Sequence, residues 1–240
     1  GAGGYNLVWY AESPTGINLT LDANGSGNAV DLISTNHNIG SDTFSNIRGV
    51  IGSNSADQIN FNTLWGIAKG RMGNDTLIGG NGDQNFIGGS GNDTIDGGNG
   101  FDTVIYFDDG FDSAFNPLLD TPTEIKSHGV TVNLKTGVAT DNWGNTDTLS
   151  NIERIIGSAF NDGLTGDDFN NNLEGGSGSD TLNGGDGDDS LNGENGDDTY
   201  TMEEVIGGND IITDSSGTDE ITLTNPNYEL NGHGDVVVNR

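Results

Sequence analysis

The sequence contains no cysteine, which excludes a disulfide framework, a thiolate metal site and a thiol nucleophile. Basic residues are nearly as scarce: Lys and Arg number 7 against 37 Asp and Glu, for a formal net charge of -30. A chain this acidic repels nucleic acid and anionic membrane surfaces, and its natural partners are cations. Hydrophobic residues make up only 31%, and no apolar run is long enough to span a bilayer, so no membrane insertion is expected of this segment. Few apolar residues with high net charge is also the signature of disorder. A folded chain of this kind therefore needs something that neutralises its charge. Nothing at the start resembles a signal peptide, and the chain begins at Gly1 without an initiator Met. That is the expectation for a piece of a longer protein.

What the chain has in excess is glycine, 41 residues, and the glycine is periodic. "GGSGNDTID" (88–96) is followed at once by "GGNGFDTVI" (97–105). In the same nine-residue frame, "GSNSADQIN" (52–60), "FNTLWGIAK" (61–69), "GRMGNDTLI" (70–78) and "GGNGDQNFI" (79–87) precede them. A second block runs from Gly157 to Thr201, beginning "GSAFNDGLT" and "GDDFNNNLE". After Met202-Glu203-Glu204 the frame resumes as "VIGGNDIIT" (205–213) and "DSSGTDEIT" (214–222). A period of this kind decides the fold before any local propensity does. The blocks also resemble each other, because "DTFSNIRGVIGS" (42–53) matches "DTLSNIERIIGS" (147–158). The expected organisation is two tandem modules. The first is 1–105, with leading strands over 1–51 and nonapeptides over 52–105. The second is 106–222, with an excursion and leading strands over 106–156 and nonapeptides over 157–222. A capping segment follows at 223–240.

Position 8 is apolar in most units, for example Ile59, Leu77, Phe86, Ile95, Leu164, Leu182 and Tyr200. One inward residue per nonapeptide predicts a three-residue strand with its middle side chain buried, followed by a six-residue turn. Glycine at positions 1, 2 and 4 fits a turn that needs positive φ at several places, where a Cβ would clash. Two nonapeptides then close one coil of 18 residues, and coils stack through parallel strands. The predicted fold class is all-β, a parallel β-roll built as a solenoid.

Position 6 carries the chemistry. Asp57, Asp75 and Asp93 fall 18 residues apart, as do Asp162, Asp180 and Asp198. Stacked coils set such carboxylates about 4.8 Å apart, where unit charges repel by roughly 1 kcal/mol in water and by more in a less polar setting. A hard divalent cation between successive turns removes the repulsion, and turn carbonyls complete an oxygen cage. Irregular oxygen cages suit Ca²⁺, with several ions expected. Zinc would want His or Cys, and His37, His128 and His233 all fall outside the frame. The opposite side carries Gly66, Gln84 and Asp102 in the first block, and Asn171 and Asp189 in the second. Ions there are expected to be fewer and looser.

The motif Gly-Gly-x-Gly-x-Asp-x-apolar-x resembles that of the repeats-in-toxin (RTX) proteins, the hemolysin-type calcium-binding repeats. The resemblance covers 52–105 and 157–201 well and 205–222 loosely. It implies calcium β-rolls, two tandem RTX blocks in this chain, and export by a type I system of Gram-negative bacteria. It also implies that the ions are held by position-6 carboxylates and by carbonyls of the glycine-rich turns. Here those are the aspartates named above, Asp210 and Asp219 in the resumed frame, and carbonyls such as Gly70, Met72, Gly88, Ser90, Gly175, Ser177, Gly193 and Asn195. Arg71 and Glu194 at position 2 depart from the motif, as do Gln84 and Asn171 at position 6.

No nucleophile elbow, phosphate loop or zinc motif is present, and glycine-rich turns supply no apolar pocket, so this segment is not expected to be an enzyme. A catalytic domain could sit elsewhere in a longer chain. The expected role is a secreted or cell-surface module that folds on extracellular Ca²⁺ and stabilises or displays attached domains. The alternative is a calcium-dependent module that binds carbohydrate or a cell surface, as in adhesins, surface layers and alginate epimerase repeats.

Overall fold

A computed structural model describes residues 6–32, 41–62, 65–107, 128–202, 208–224 and 237–239. The predicted excursion at 108–127, the Glu203-Glu204 insertion and most of the predicted cap at 223–240 lie outside the described residues.

The nine-residue period folds as expected. Two compact units form. In the unit that runs to Ile105 and takes in Trp143–Ile152, the chain alternates between two parallel sheets every nine residues. One sheet pairs Leu7–Trp9, Gly49–Ile51, Trp65–Met72, Asp83–Ser90 and Thr103–Ile105 in that order. The other pairs Ile17–Leu21, Gln58–Phe61, Thr76–Gly80, Thr94–Gly98 and Thr146–Ser150. Gly27–Asp31 and Ser41–Phe44 extend the second sheet antiparallel beyond Ile17–Leu21. Register confirms the 18-residue coil, since Leu77 lies beside both Ile59 and Ile95.

The other unit repeats the plan. Arg154–Ile156, Asn172–Ser177, Ser190–Asn195, Ile211–Thr213 and Val237–Asn239 stack in one parallel sheet. Thr131–Asn133, Gly163–Thr165, Thr181–Asn183, Thr199–Met202 and Glu220–Leu223 stack in the other. Val138–Thr140 pairs antiparallel with Thr131–Asn133. No helix occurs among the described residues. The fold is an all-β parallel β-roll.

Each coil's core is one apolar residue per strand. Ile59, Leu77, Phe86, Ile95 and Val104 are buried in the first unit, and Leu164, Leu173, Leu182, Leu191 and Tyr200 in the second. Each such burial is worth roughly 1.5–3 kcal/mol, a thin core for a glycine-rich chain that loses much backbone entropy on folding.

One local expectation needs correction. Strands are not uniformly three residues: Trp65–Met72 and Asp83–Ser90 each have 8. Identical turns stack in register, so parallel pairing continues through the turn, as at Arg71↔Gly89 and Met72↔Ser90. Positive φ does occur at several places in the turns, often at position 2 and usually at position 4, but not at position 1. Position 1 is glycine for a different reason. A Cβ on Gly70 would collide with Asp75 Oδ2 and crowd the Gly88 carbonyl.

Two residues with a Cβ are strained at position 2: Arg71 has φ 88° and Glu194 φ 71°. Glu194 is also beside Glu174, and burial together with that neighbour raises its pKa. Glu194→Gly is therefore expected to stabilise the roll by about 1 kcal/mol. Denaturant melts at fixed saturating calcium measure it, and a destabilised variant would contradict this view of position 2.

Candidate metal centre

The period-18 stacking sets the position-6 side chains in ladders of buried carboxylates. Asp57, Asp75, Asp93, Asp102, Asp162, Asp180, Asp189 and Asp198 are all at most 4% exposed. Each side chain reaches back one coil. The Asp57 N–H donates to Asp75 Oδ1 at 2.7 Å, and the Asp75 N–H to Asp93 Oδ1 at 2.8 Å. In the second unit the Asp162 N–H donates to Asp180 Oδ1, and the Asp180 N–H to Asp198 Oδ1, both at 2.8 Å. On the opposite sides, Gln84 N–H donates to Asp102 Oδ1 at 2.7 Å and Asn171 N–H to Asp189 Oδ1 at 2.8 Å. The resumed frame joins the ladders despite its three extra residues. Asp189 N–H donates to Asp210 Oδ1 at 2.9 Å, and Asp198 N–H to Asp219 Oδ1 at 3.2 Å.

One oxygen of each carboxylate is thus consumed by backbone. The other is the chemically informative one. Oδ2 of Asp75, Asp180 and Asp198 is buried and accepts no hydrogen bond. An ionised oxygen in that state is costly, so a native fold must supply a counter-charge. The cost shows in proton affinity. Burial, then the neighbouring Asp93 charge, pushes Asp75 up to about 9. Burial, aided by Asp162 and Asp198, pushes Asp180 up to about 7. Asp198 is raised chiefly by burial.

The turn backbone offers oxygen beside these carboxylates. The same Gly70 Cα that faces Asp75 Oδ2 also faces the Gly88 carbonyl. In the second unit the Gly175 Cα lies against Asp180 Oδ2. Position-3 carbonyls are partly engaged: Ser90 accepts the Gly73 N–H and Asn195 accepts the Gly178 N–H, each at 2.9 Å. A carbonyl oxygen keeps a second lone pair for a cation. Met72 and Ser177 lie at strand ends that pair with Ser90 and Asn195. The Gly193 Cα lies against Asp198 Oδ2 and the Tyr200 hydroxyl. The donor set is all oxygen, anionic and irregular, which fits Ca²⁺.

Two participants were not singled out from sequence. Asp147 is 1% exposed, and its Oδ1 accepts the Asp93 N–H at 3.0 Å, 54 residues away. Thr94–Gly98 pairs directly with Thr146–Ser150, so Asp147 is the next rung after Asp93 despite that separation. The triplet Asp147-Thr148-Leu149 repeats Asp75-Thr76-Leu77, a signal that could have found it. Asp214 occupies position 1, where most other units carry glycine. Carboxylate oxygens of Asp198, Asp214 and Asp219 lie within 4.8 Å of one another. The Tyr200 hydroxyl donates to Asp214 Oδ2 at 2.6 Å and accepts the Gly193 N–H at 2.8 Å.

The family model described as the RTX calcium-binding nonapeptide repeat matches residues 70–104 and 165–200, in 4 copies. These are RTX repeats. No curated protein matches the chain. RTX repeats bind calcium as a family and form a structural element, not a catalytic one, and both matched spans coincide with carboxylate ladders of the roll.

Proposed function

We propose that this RTX β-roll is a calcium-triggered folding module, disordered where calcium is scarce and assembled where it is abundant. The observation that carries the reading is the buried, hydrogen-bond-free Oδ2 of Asp75, Asp180 and Asp198. Bound Ca²⁺ would supply the missing positive charge at each. Asp75 with the Gly88 carbonyl, and Asp180 and Asp198 with their own turns, would hold it. Because the cage exists only in the folded chain, binding free energy becomes folding free energy. The net charge of -30 keeps the metal-free chain expanded.

A module of this kind belongs outside the cell. Extracellular calcium modules work at roughly 10⁻⁴–10⁻³ M Ca²⁺, and RTX repeats are typical of secreted proteins. Unfolded passage through a type I export channel, followed by folding outside, accords with that dependence. The role toward the rest of a longer protein is to stabilise or display attached domains.

Far-UV circular dichroism during a calcium titration tests the reading. The expected result is a cooperative gain of β signal in the range above. A chain equally folded in excess chelator would sink it. The Asp198–Asp214–Asp219 group has one carboxylate more than the position-6 pairs in the other turns. Asp214→Gly is expected to weaken its calcium affinity by about tenfold, equivalent to ~1.4 kcal/mol. Calorimetry that resolves the tightest binding phase would detect this, and an unchanged tight phase would remove Asp214 from the site.

A further inference from the structure

Ten turns of the two units fall into two kinds, and residue 2 of the nonapeptide separates them. In the turn 52–57 the Ser53 N–H donates to Asp57 Oδ2 at 2.6 Å, and the Ser53 hydroxyl donates to Oδ1 at 2.9 Å. The turn 157–162 is built alike, with the Ser158 N–H on Asp162 Oδ2 and its hydroxyl on Oδ1. Two turns whose sixth residue is an uncharged amide share the arrangement. The Gly80 N–H donates to Gln84 Oε1 at 2.9 Å, and the Asp167 N–H to Asn171 Oδ1 at 2.7 Å. In all four the amide of position 2 caps the side chain of position 6, and in none is position 2 at positive φ.

Six further turns have the opposite conformation. Arg71, Gly176 and Glu194, which precede Asp75, Asp180 and Asp198, have φ of 88°, 109° and 71°. Gly89, Gly98 and Gly185 lie in the same region, at 100°, 91° and 96°. The Oδ2 atoms of Asp75, Asp180 and Asp198 accept no amide. Position 2 therefore works as a selector. At negative φ its N–H satisfies the buried oxygen. At positive φ the N–H is withdrawn and the oxygen stands ready for a cation.

We infer that the turns ending at Asp57, Gln84, Asp162 and Asn171 take no calcium, because the position-2 amide does there what the ion does in the other turns. The inference rests on the calcium reading above and revises the sequence expectation that Asp57 and Asp162 are ligands and that Gln84 and Asn171 mark loose sites. The chain's own use of Gln and Asn supports it. A neutral amide oxygen accepts an N–H but carries no charge to balance a cation. The matched RTX copies begin at residues 70 and 165, leaving the two serine-capped turns outside. Each unit thus has a rung held by the protein alone ahead of its calcium-dependent rungs.

The test is bound calcium per chain, measured by atomic absorption after equilibrium dialysis of the full chain at saturating calcium. Asp57→Asn and Asp162→Asn copy the native Asn171 turn and are expected to bind as many ions as the unaltered chain. Asp75→Asn and Asp180→Asn are each expected to bind at least one fewer. Equal losses at Asp57 and Asp75 would overturn the inference. Should Asp57→Asn fail to reach the native circular dichroism signal, Asn171→Asp carries the test alone. It restores the carboxylate in an amide-capped turn and is expected to add no ion, and a gained ion would overturn the inference. An unaltered chain that binds no calcium would instead refute the calcium reading itself.

Discussion

Gly91→Ala is expected to destabilise the calcium-loaded roll by about 3 kcal/mol or more and to raise the calcium midpoint of folding several-fold. Gly91 has φ 131°, a region that residues with a Cβ enter only at a cost of order 1–3 kcal/mol. The added Cβ would also collide with the Gly73 carbonyl of the preceding coil. That atom is backbone in a stacked turn, so no rotamer change relieves the contact, and overpacking adds roughly 1–3 kcal/mol. On the calcium reading proposed above, spreading one pair of coils loosens the oxygen cage as well as the packing. Phe169→Ser is the control. Phe169 is 73% exposed, and its replacement should fall within about 0.5 kcal/mol. Calcium titrations of both variants followed by circular dichroism provide the comparison. A midpoint for Gly91→Ala equal to that of Phe169→Ser would show that the coils are not stacked this closely.

In calcium-free buffer, acidification is expected to promote folding of a chain that is unfolded at neutral pH. The sign follows from carboxylates whose folded pKa is raised. Asp75 stands at about 9 and Asp180 at about 7 in the metal-free fold, against about 3.9 in an unfolded chain. The folded state therefore binds more protons than the unfolded state across that interval, and stability falls as pH rises. The contribution is fully present below about pH 4. It is lost progressively through about 7 for Asp180 and about 9 for Asp75. With calcium the trend reverses, because protons and cations compete for the same oxygens and acid lowers calcium affinity. Circular dichroism in calcium-free buffer from pH 4 to 9 reads the first effect. Equal β content at both ends would mean that the ladder carboxylates do not govern the metal-free state.

Much of this was legible in the sequence because a strict period leaves few options. One apolar residue every nine, with aspartate two places before it, dictates both the coil and the carboxylate ladder, and Leu77 and Asp75 sit as that period requires. Strand length was not legible, since the pairing of Met72 with Ser90 depends on how turns stack and not on their propensities. Nor was the reason for glycine at position 1. Composition alone cannot distinguish a residue that needs positive φ from Gly70, which must let Asp75 Oδ2 approach. Asp147 escaped because it lies outside the nonapeptide blocks, although its triplet Asp147-Thr148-Leu149 repeats Asp75-Thr76-Leu77. The capping role of Ser53 and Ser158 was hidden for a similar reason. Serine for glycine reads as a lapse of the motif until its N–H is seen on the carboxylate.

The most direct measurement of the central claim is an anomalous difference map from crystals of the chain grown with calcium. Peaks are expected within bonding distance of Asp75, Asp180 and Asp198 Oδ2, in rows that follow the 18-residue coil. A map with no peak beside these oxygens, from crystals that contain the folded roll, would contradict it.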